Sequence, residues 1–147
     1  MTFMTRIPRS RLPPGWFHCI NRGANRAQIF FDDDDYRWFV NALTQGAQVF
    51  SLTLSTYCIM PNHWHVVLHC EDISFMSSMF KKLLNDQTRR HHAKYQTIGH
   101  GPLYQGRFKS FPIKDDEALN VICAYIENNP VRAKLVNEAA AWPWSSR

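Results

Sequence analysis

Apolar positions recur along the chain with two periods, and the switches between them mark out the elements. Trp16 to Asn21 (WFHCIN) has the two-residue alternation of a strand and closes in a turn at Arg22-Gly23. From Asp32 to about Gly46 the spacing becomes helical, with Phe39, Val40 and Leu43 forming an apolar stripe. The acidic run that opens this helix suits the positive end of its dipole. Residues 48–60 (QVFSLTLSTYCIM) are rich in β-branched and aromatic side chains and predict a second strand. Pro61-Asn62 makes a turn, and His63 to Cys70 predicts the hairpin partner. Met76, Met79, Phe80, Leu83 and Leu84 then fall at i, i+3, i+4, i+7 and i+8, which marks a long amphipathic helix from about Ile73 to Tyr95. After a break at Gly99 to Pro102, Arg107 to Ile113 reads as another strand. Asp115 caps a last long helix running to about Asn128, with Asp116 and Glu117 in its first turn. Pro130 stops that helix and can open a short final one. The order β-α-β-β-α-β-α predicts an α+β fold, an antiparallel sheet with helices packed mainly on one face. No repeat or low-complexity linker interrupts it, so residues 1–147 read as a single domain.

Composition narrows the class. With 147 residues, 45% of them apolar, the chain can bury a core without staples and is not a disordered tail. No apolar run approaches the roughly 20 residues of a membrane helix, and the first residues lack the apolar core of a signal peptide. The four cysteines, Cys19, Cys58, Cys70 and Cys123, form no C-x-x-C pair and read as reduced thiols of a cytoplasmic protein. The net charge of +5 is unevenly placed. Residues 1–31 hold five arginines and no acid, and Met79 to Lys114 holds eight basic residues against the single acid Asp86. Basic stretches laced with aromatics, such as LYQGRFKSF, suit a phosphate-bearing partner, though a solvated basic surface has the same composition.

Candidate chemistry centres on His63-Trp64-His65. On a strand, residues i and i+2 share a face, so the two imidazoles stand together with Trp64 on the other side. Their bases are roughly 6–7 Å apart, close enough for both rings to reach one cation. A third ligand has to come from elsewhere; an oxygen donor suits Mg²⁺ or Mn²⁺, a cysteine suits zinc. The same H-x-H pattern also arises on ordinary exposed strand faces. In the last helix, Ala118, Val121, Ile122 and Tyr125 fall on one side, with Asn129 a turn beyond. Tyr125 there is either a core aromatic or a reactive hydroxyl, and Asn129 before Pro130 is either a helix cap or a polar ligand.

Four segments in order, INRGANRAQIF, YCIMPNHWHVVLH, LYQGRFKSF and YIENNPVRAKLV followed by WPWSS, resemble the IS200-like tyrosine transposases, and within them the branch associated with repetitive extragenic palindromes (REP). The resemblance covers most of the chain. It implies a ferredoxin-like antiparallel sheet carrying the histidines on a central strand. It implies that His63 and His65 hold a divalent cation, Mg²⁺ or Mn²⁺, with Asn129 as third ligand, and that Tyr125 is the nucleophile. The implied reaction is cleavage and strand transfer on hairpin-forming single-stranded DNA through a 5′-phosphotyrosine. Tyrosine's ordinary pKa near 10 means Tyr125 needs a nearby charge or base. Arg22, Arg26, Lys81, Lys82, Arg89, Arg107 and Lys109 are candidate phosphate contacts, while Trp16, Tyr104 and Phe108 either stack on bases or belong to the core.

The resemblance further implies a nucleoid-associated protein acting as a monomer, the alternative being a homodimer that shares its tyrosine helix. Two other readings stay open: a hairpin-binding module that no longer cuts, and a zinc hydrolase using the histidine pair and a cysteine.

Overall fold

A computed structural model describes residues 13–147; the N-terminal arginines Arg6, Arg9 and Arg11 lie outside the described residues. Strand β1 (Gly15–Arg22) is followed by a single 3-10 turn at Ala24–Arg26, helix α1 (Asp33–Val49), the hairpin β2 (Thr53–Met60) and β3 (His63–Cys70), helix α2 (Ile73–Tyr95), strand β4 (Lys109–Pro112), helix α3 (Asp116–Glu127) and the short α4 (Asn129–Arg132). The sheet is antiparallel in the order β2-β3-β1-β4. This is the expected α+β architecture, with the histidine strand β3 in the interior of the sheet.

Alternation along the strands sorts the side chains between two layers. Phe17, Cys19, Ile59, Trp64, Val66, Leu68 and Cys70 face the two long helices and form the main core with Phe39, Leu43, Met76, Met79, Phe80 and Leu83. Trp64 is its anchor. It is fully buried, stacks on Phe80 at 5.2 Å, and donates from Nε1 to the Tyr104 hydroxyl at 3.0 Å; that hydroxyl in turn donates to Gln87. A one-residue slip of β3 would bring Trp64 to the other face, so the same packing that buries the indole fixes where the histidines point. Asp32, Asp72 and Asp115 each cap a helix by accepting from a backbone N–H, at Asp35, Ser74 and Ala118.

The long helices are tied at one end by a buried carboxylate. Asp35, its side chain 3% exposed, accepts from Arg90 at 2.7 Å, Lys94 at 2.9 Å, the Tyr95 hydroxyl at 2.5 Å and the Phe31 N–H at 2.9 Å. Burial alone raises its pKa, but these donors outweigh burial and hold it far below the usual carboxylate range.

Helix α3 lies on the opposite face, over β2. Leu119, Ile122, Cys123 and Ile126 point inward against Cys58, Met60 and Val67. The expected face, with Val121 and Tyr125 alongside Ile122, is therefore rotated: Val121 and Tyr125 are 64% and 56% exposed. Two other expectations are corrected. Gln48 to Leu52 is not strand, because α1 runs on to Val49 and the chain turns through a left-handed Ser51 (φ 56°) before β2 begins. The strand read from Arg107 begins at Lys109. Of the two readings open for Tyr104 and Phe108, the core one holds: they are 7% and 5% exposed. The cysteines are free thiols, three of them buried.

The C-terminal segment closes the β2 side. The Ile59 N–H donates to the Trp144 carbonyl at 2.8 Å, the Trp142 indole to the Ile59 carbonyl at 2.9 Å, and the Ser146 N–H to the Tyr57 carbonyl at 3.0 Å. Trp144 stacks on Tyr36 of α1 at 5.3 Å.

Candidate active site

Residues opposite one another in an antiparallel pair share a face. Arg22 is opposite His63, and Ile20 is opposite both His65 and Lys109. His18 is opposite Val67 and Phe111. The face away from the long helices thus carries His18, Arg22, His63, His65, Lys109 and Phe111, and α3 covers its β2 side. His63 and His65 have ring centroids 5.1 Å apart at an interplanar angle of 88°. His18 stacks on His65, with Nε2 2.9 Å from His65 Nδ1.

Both paired imidazoles are neutral at ordinary pH. Burial first, then the Arg22 charge, pushes His63 down to about 4. Burial, with smaller contributions from His63, His18, Arg132 and Arg22, pushes His65 down to about 3. Burial likewise lowers His18. A neutral imidazole offers a lone pair, the form a cation requires.

Asn129 does not cap α4. That position belongs to Asn128, and Asn129 is the first residue of the helix. Its side-chain Nδ2 instead sits 3.5 Å from His63 Nε2. Among the described residues no group of three or more His, Cys, Asp and Glu is arranged to hold a metal, so no cysteine joins the histidine pair. Two neutral imidazoles can serve as nitrogen donors to a divalent cation, and the Asn129 amide beside them carries an oxygen that can be a third.

Tyr125 lies on the exposed side of α3, next to Ile126, which anchors the helix to the sheet. The Arg132 guanidinium stands 3.8 Å over its ring and donates to its carbonyl at 2.6 Å. A cation is therefore held against the phenol by the turn that follows it.

The basic candidates divide by face. Arg22 and Lys109 share the histidine face. Among the described residues the buried Arg22 Nε has no hydrogen-bond partner, and its strand position is opposite His63. Arg26 is exposed in the loop beside the β2–β3 turn, and its carbonyl accepts from Asn62. Arg107 is exposed just before β4. Lys81, Lys82 and Arg89 lie on α2, which packs on the other face of the sheet, and Lys82 and Arg89 pair with Asp86 at 2.8 and 3.2 Å.

Sequence reasoning missed His18, Phe111 and Arg132. Phe111 is 48% exposed, 6.2 Å from His18, and is the open aromatic of this face; Trp16 is half-buried against His69 and the α3 layer. Alternation within WFHCIN would have put His18 on one side of β1, but only the cross-strand register reveals that this side is the histidine side.

Residues 14–129 match the family described as Transposase IS200 like. A provisionally assigned REP-associated tyrosine transposase of Haemophilus influenzae is 26% identical over 116 residues, which cover 74% of this chain and 66% of that protein. The match thus spans just under two thirds of that relative's length. Among solved structures, a REP-associated tyrosine transposase bound to a REP hairpin aligns with a TM-score of 0.73 at 21% identity, over 97% of this chain and 82% of the other. A provisionally assigned transposase from Deinococcus radiodurans aligns with a TM-score of 0.55 at 20% identity, over 84% and 97%. These two likenesses establish a shared fold.

Proposed function

Because the chain belongs to the IS200-like transposase family, we propose that it cuts and rejoins single-stranded DNA beside a hairpin, of the kind its structural relative binds, with Tyr125 as nucleophile. What supports this reading above all is the meeting of the neutral His63 and His65, the Asn129 amide and the Arg22 guanidinium on one face of the sheet. His63, His65 and Asn129 would hold Mg²⁺ or Mn²⁺. A divalent cation held there neutralises the anionic oxygens of the scissile phosphodiester and lowers its resistance to attack.

The chain's own residues do the rest. Arg22 and Lys109 bind phosphate oxygens and set the register of the strand without reading its bases. Phe111 offers a face on which an unpaired base can stack. The Tyr125 hydroxyl attacks phosphorus, forming a Tyr–O–P bond while the P–O3′ bond breaks. The phenolic proton leaves, and the departing 3′-oxygen gains one. A 5′-phosphotyrosine and a free 3′-hydroxyl result. Attack by another 3′-hydroxyl reverses the step and reseals the strand, so the bond energy is kept throughout. Arg132 fixes the phenol's orientation for this attack. The Lys81, Lys82 and Arg89 face is available to the duplex stem, away from the reacting phosphate.

The test uses labelled single-stranded hairpin DNA with Mg²⁺ or Mn²⁺ and a denaturing gel. A covalent protein–DNA adduct is expected with the native chain and none with Tyr125→Phe. An adduct that survives Tyr125→Phe removes Tyr125 from the reaction, and tight hairpin binding with no adduct at all makes the protein a binding module.

A further inference from the structure

We propose that Asn62 is a positioning residue that sets the tautomer of His63, and that the Gly23–Phe30 loop serves the site by holding Asn62. The inference rests on the reading of His63 as a ligand.

The Asn62 Nδ2 lies 3.2 Å from the Arg26 carbonyl oxygen, and its Oδ1 lies 2.7 Å from His63 Nδ1. A backbone carbonyl can only accept, so the amide end facing Arg26 has to be the NH₂. The end facing His63 is then the oxygen, which also can only accept. His63 therefore carries its proton on Nδ1, whichever way an isolated imidazole would prefer it. Nε2 is then the acceptor nitrogen, its lone pair facing the Asn129 Nδ2 3.5 Å away. A ring with its proton on Nε2 would present a donor there and could not ligate a cation through that atom.

The loop is built to aim that carbonyl. Asn25 and Arg26 both adopt left-handed backbone, φ 54° and 60°. Gly23 leaves no room for a side chain: a Cβ there would sit 2.3 Å from the Ala27 carbonyl oxygen. The loop is tied to the β2–β3 turn by three backbone bonds, from the Gly23 N–H to the Asn62 carbonyl (2.9 Å) and from the Ile29 and Phe30 N–H groups to the Pro61 carbonyl (2.8 and 3.1 Å). Two separated sequence motifs, INRGANRAQIF and PNHWH, thus form one assembly whose end point is a ring nitrogen.

The experiment is ¹⁵N imidazole NMR of the full chain, without metal, together with Mn²⁺ titration. In the native chain His63 should show a protonated Nδ1 and an unprotonated Nε2. Asn62→Ala should shift His63 toward the Nε2–H form and weaken Mn²⁺ binding about 10- to 100-fold. Asn62→Asp keeps an acceptor beside Nδ1 and should preserve the Nδ1–H form. A native His63 protonated on Nε2, or a tautomer unchanged in Asn62→Ala, overturns the proposal. Should Asn62→Ala fail to fold, the native spectrum and Asn62→Asp decide it. His63→Ala with undiminished Mn²⁺ affinity would instead sink the ligand reading and leave the tautomer assignment standing.

Discussion

Acid should unfold this protein through its site histidines before it affects them as ligands. In the fold His65 has its pKa pushed down to about 3, against 6.5 in the unfolded chain. Between those values the unfolded state binds the extra proton, so stability rises with pH there and is lost as pH falls below about 6.5. At pH 5 an unfolded imidazole of pKa 6.5 has gained roughly 2 kcal/mol from protonation, and at pH 7 only about 0.2; the buried His65 gains almost nothing at either. The step from pH 7 to 5 thus costs about 2 kcal/mol for His65 alone. That figure barely depends on whether the folded value is 3 or 4, because both lie below pH 5. His63, pushed down to about 4 chiefly by burial, adds a loss on the same scale. Urea unfolding in EDTA at pH 7, 6 and 5 measures the loss. In His65→Gln the loss between pH 7 and 5 should shrink by about 2 kcal/mol, whatever the variant's own stability. A variant that loses as much as the native chain would show that His65 is not held neutral by the fold. By the same logic, strand cleavage should persist to about pH 5, well below the pKa of a free imidazole.

Other outcomes follow from single contacts. Asp35→Ala should cost about 3 kcal/mol, the lower end for breaking a buried pair, because Arg90 and Lys94 keep 26% and 32% side-chain exposure and can hydrate; thermal melting should fall by roughly 6–12 °C. Gly23→Ala drives a methyl group to 2.3 Å from the Ala27 carbonyl and 2.9 Å from the Ile29 side chain. It should lose about 2–3 kcal/mol in denaturant unfolding, and a loss below about 0.5 would mean the loop yields freely. Arg132→Ala removes the cation over the Tyr125 ring and should slow adduct formation about two- to fivefold, with an unchanged rate showing that the stacking has no bearing on attack.

How far the sequence carries can be read element by element. Helix α2 is legible end to end because Met76, Met79, Phe80 and Leu83 are its only deep apolar stripe and Asp72 caps it. Helix α3 is apolar on several sides, so periodicity selects a face one step away from the buried one, and Tyr125 emerges as an exposed residue. Residues 48–52 have strand composition, yet α1 continues through the first of them, since the packing of Ala47 on the core outweighs local preference. The histidine pair was visible from strand alternation alone. Its surroundings were not, because His18, Arg22, Lys109 and Phe111 reach it only through the registers of β1 and β4, and register depends on contacts far apart in sequence.

The segment from Trp142 to Ser146 has a consequence for handling the protein. A sheet with open edges invites strands of other molecules to add on, and β2 is an outer strand. Its free carbonyl and N–H groups at Tyr57 and Ile59 are taken up by this segment of the same chain, while the other outer strand is only four residues long and ends in Pro112. Trimming back to Ala141, or fusing a bulky partner that pulls Trp144 off Tyr36, would uncover a row of unmet backbone groups. The result to expect is clumping of intact, folded molecules edge to edge, not loss of the fold.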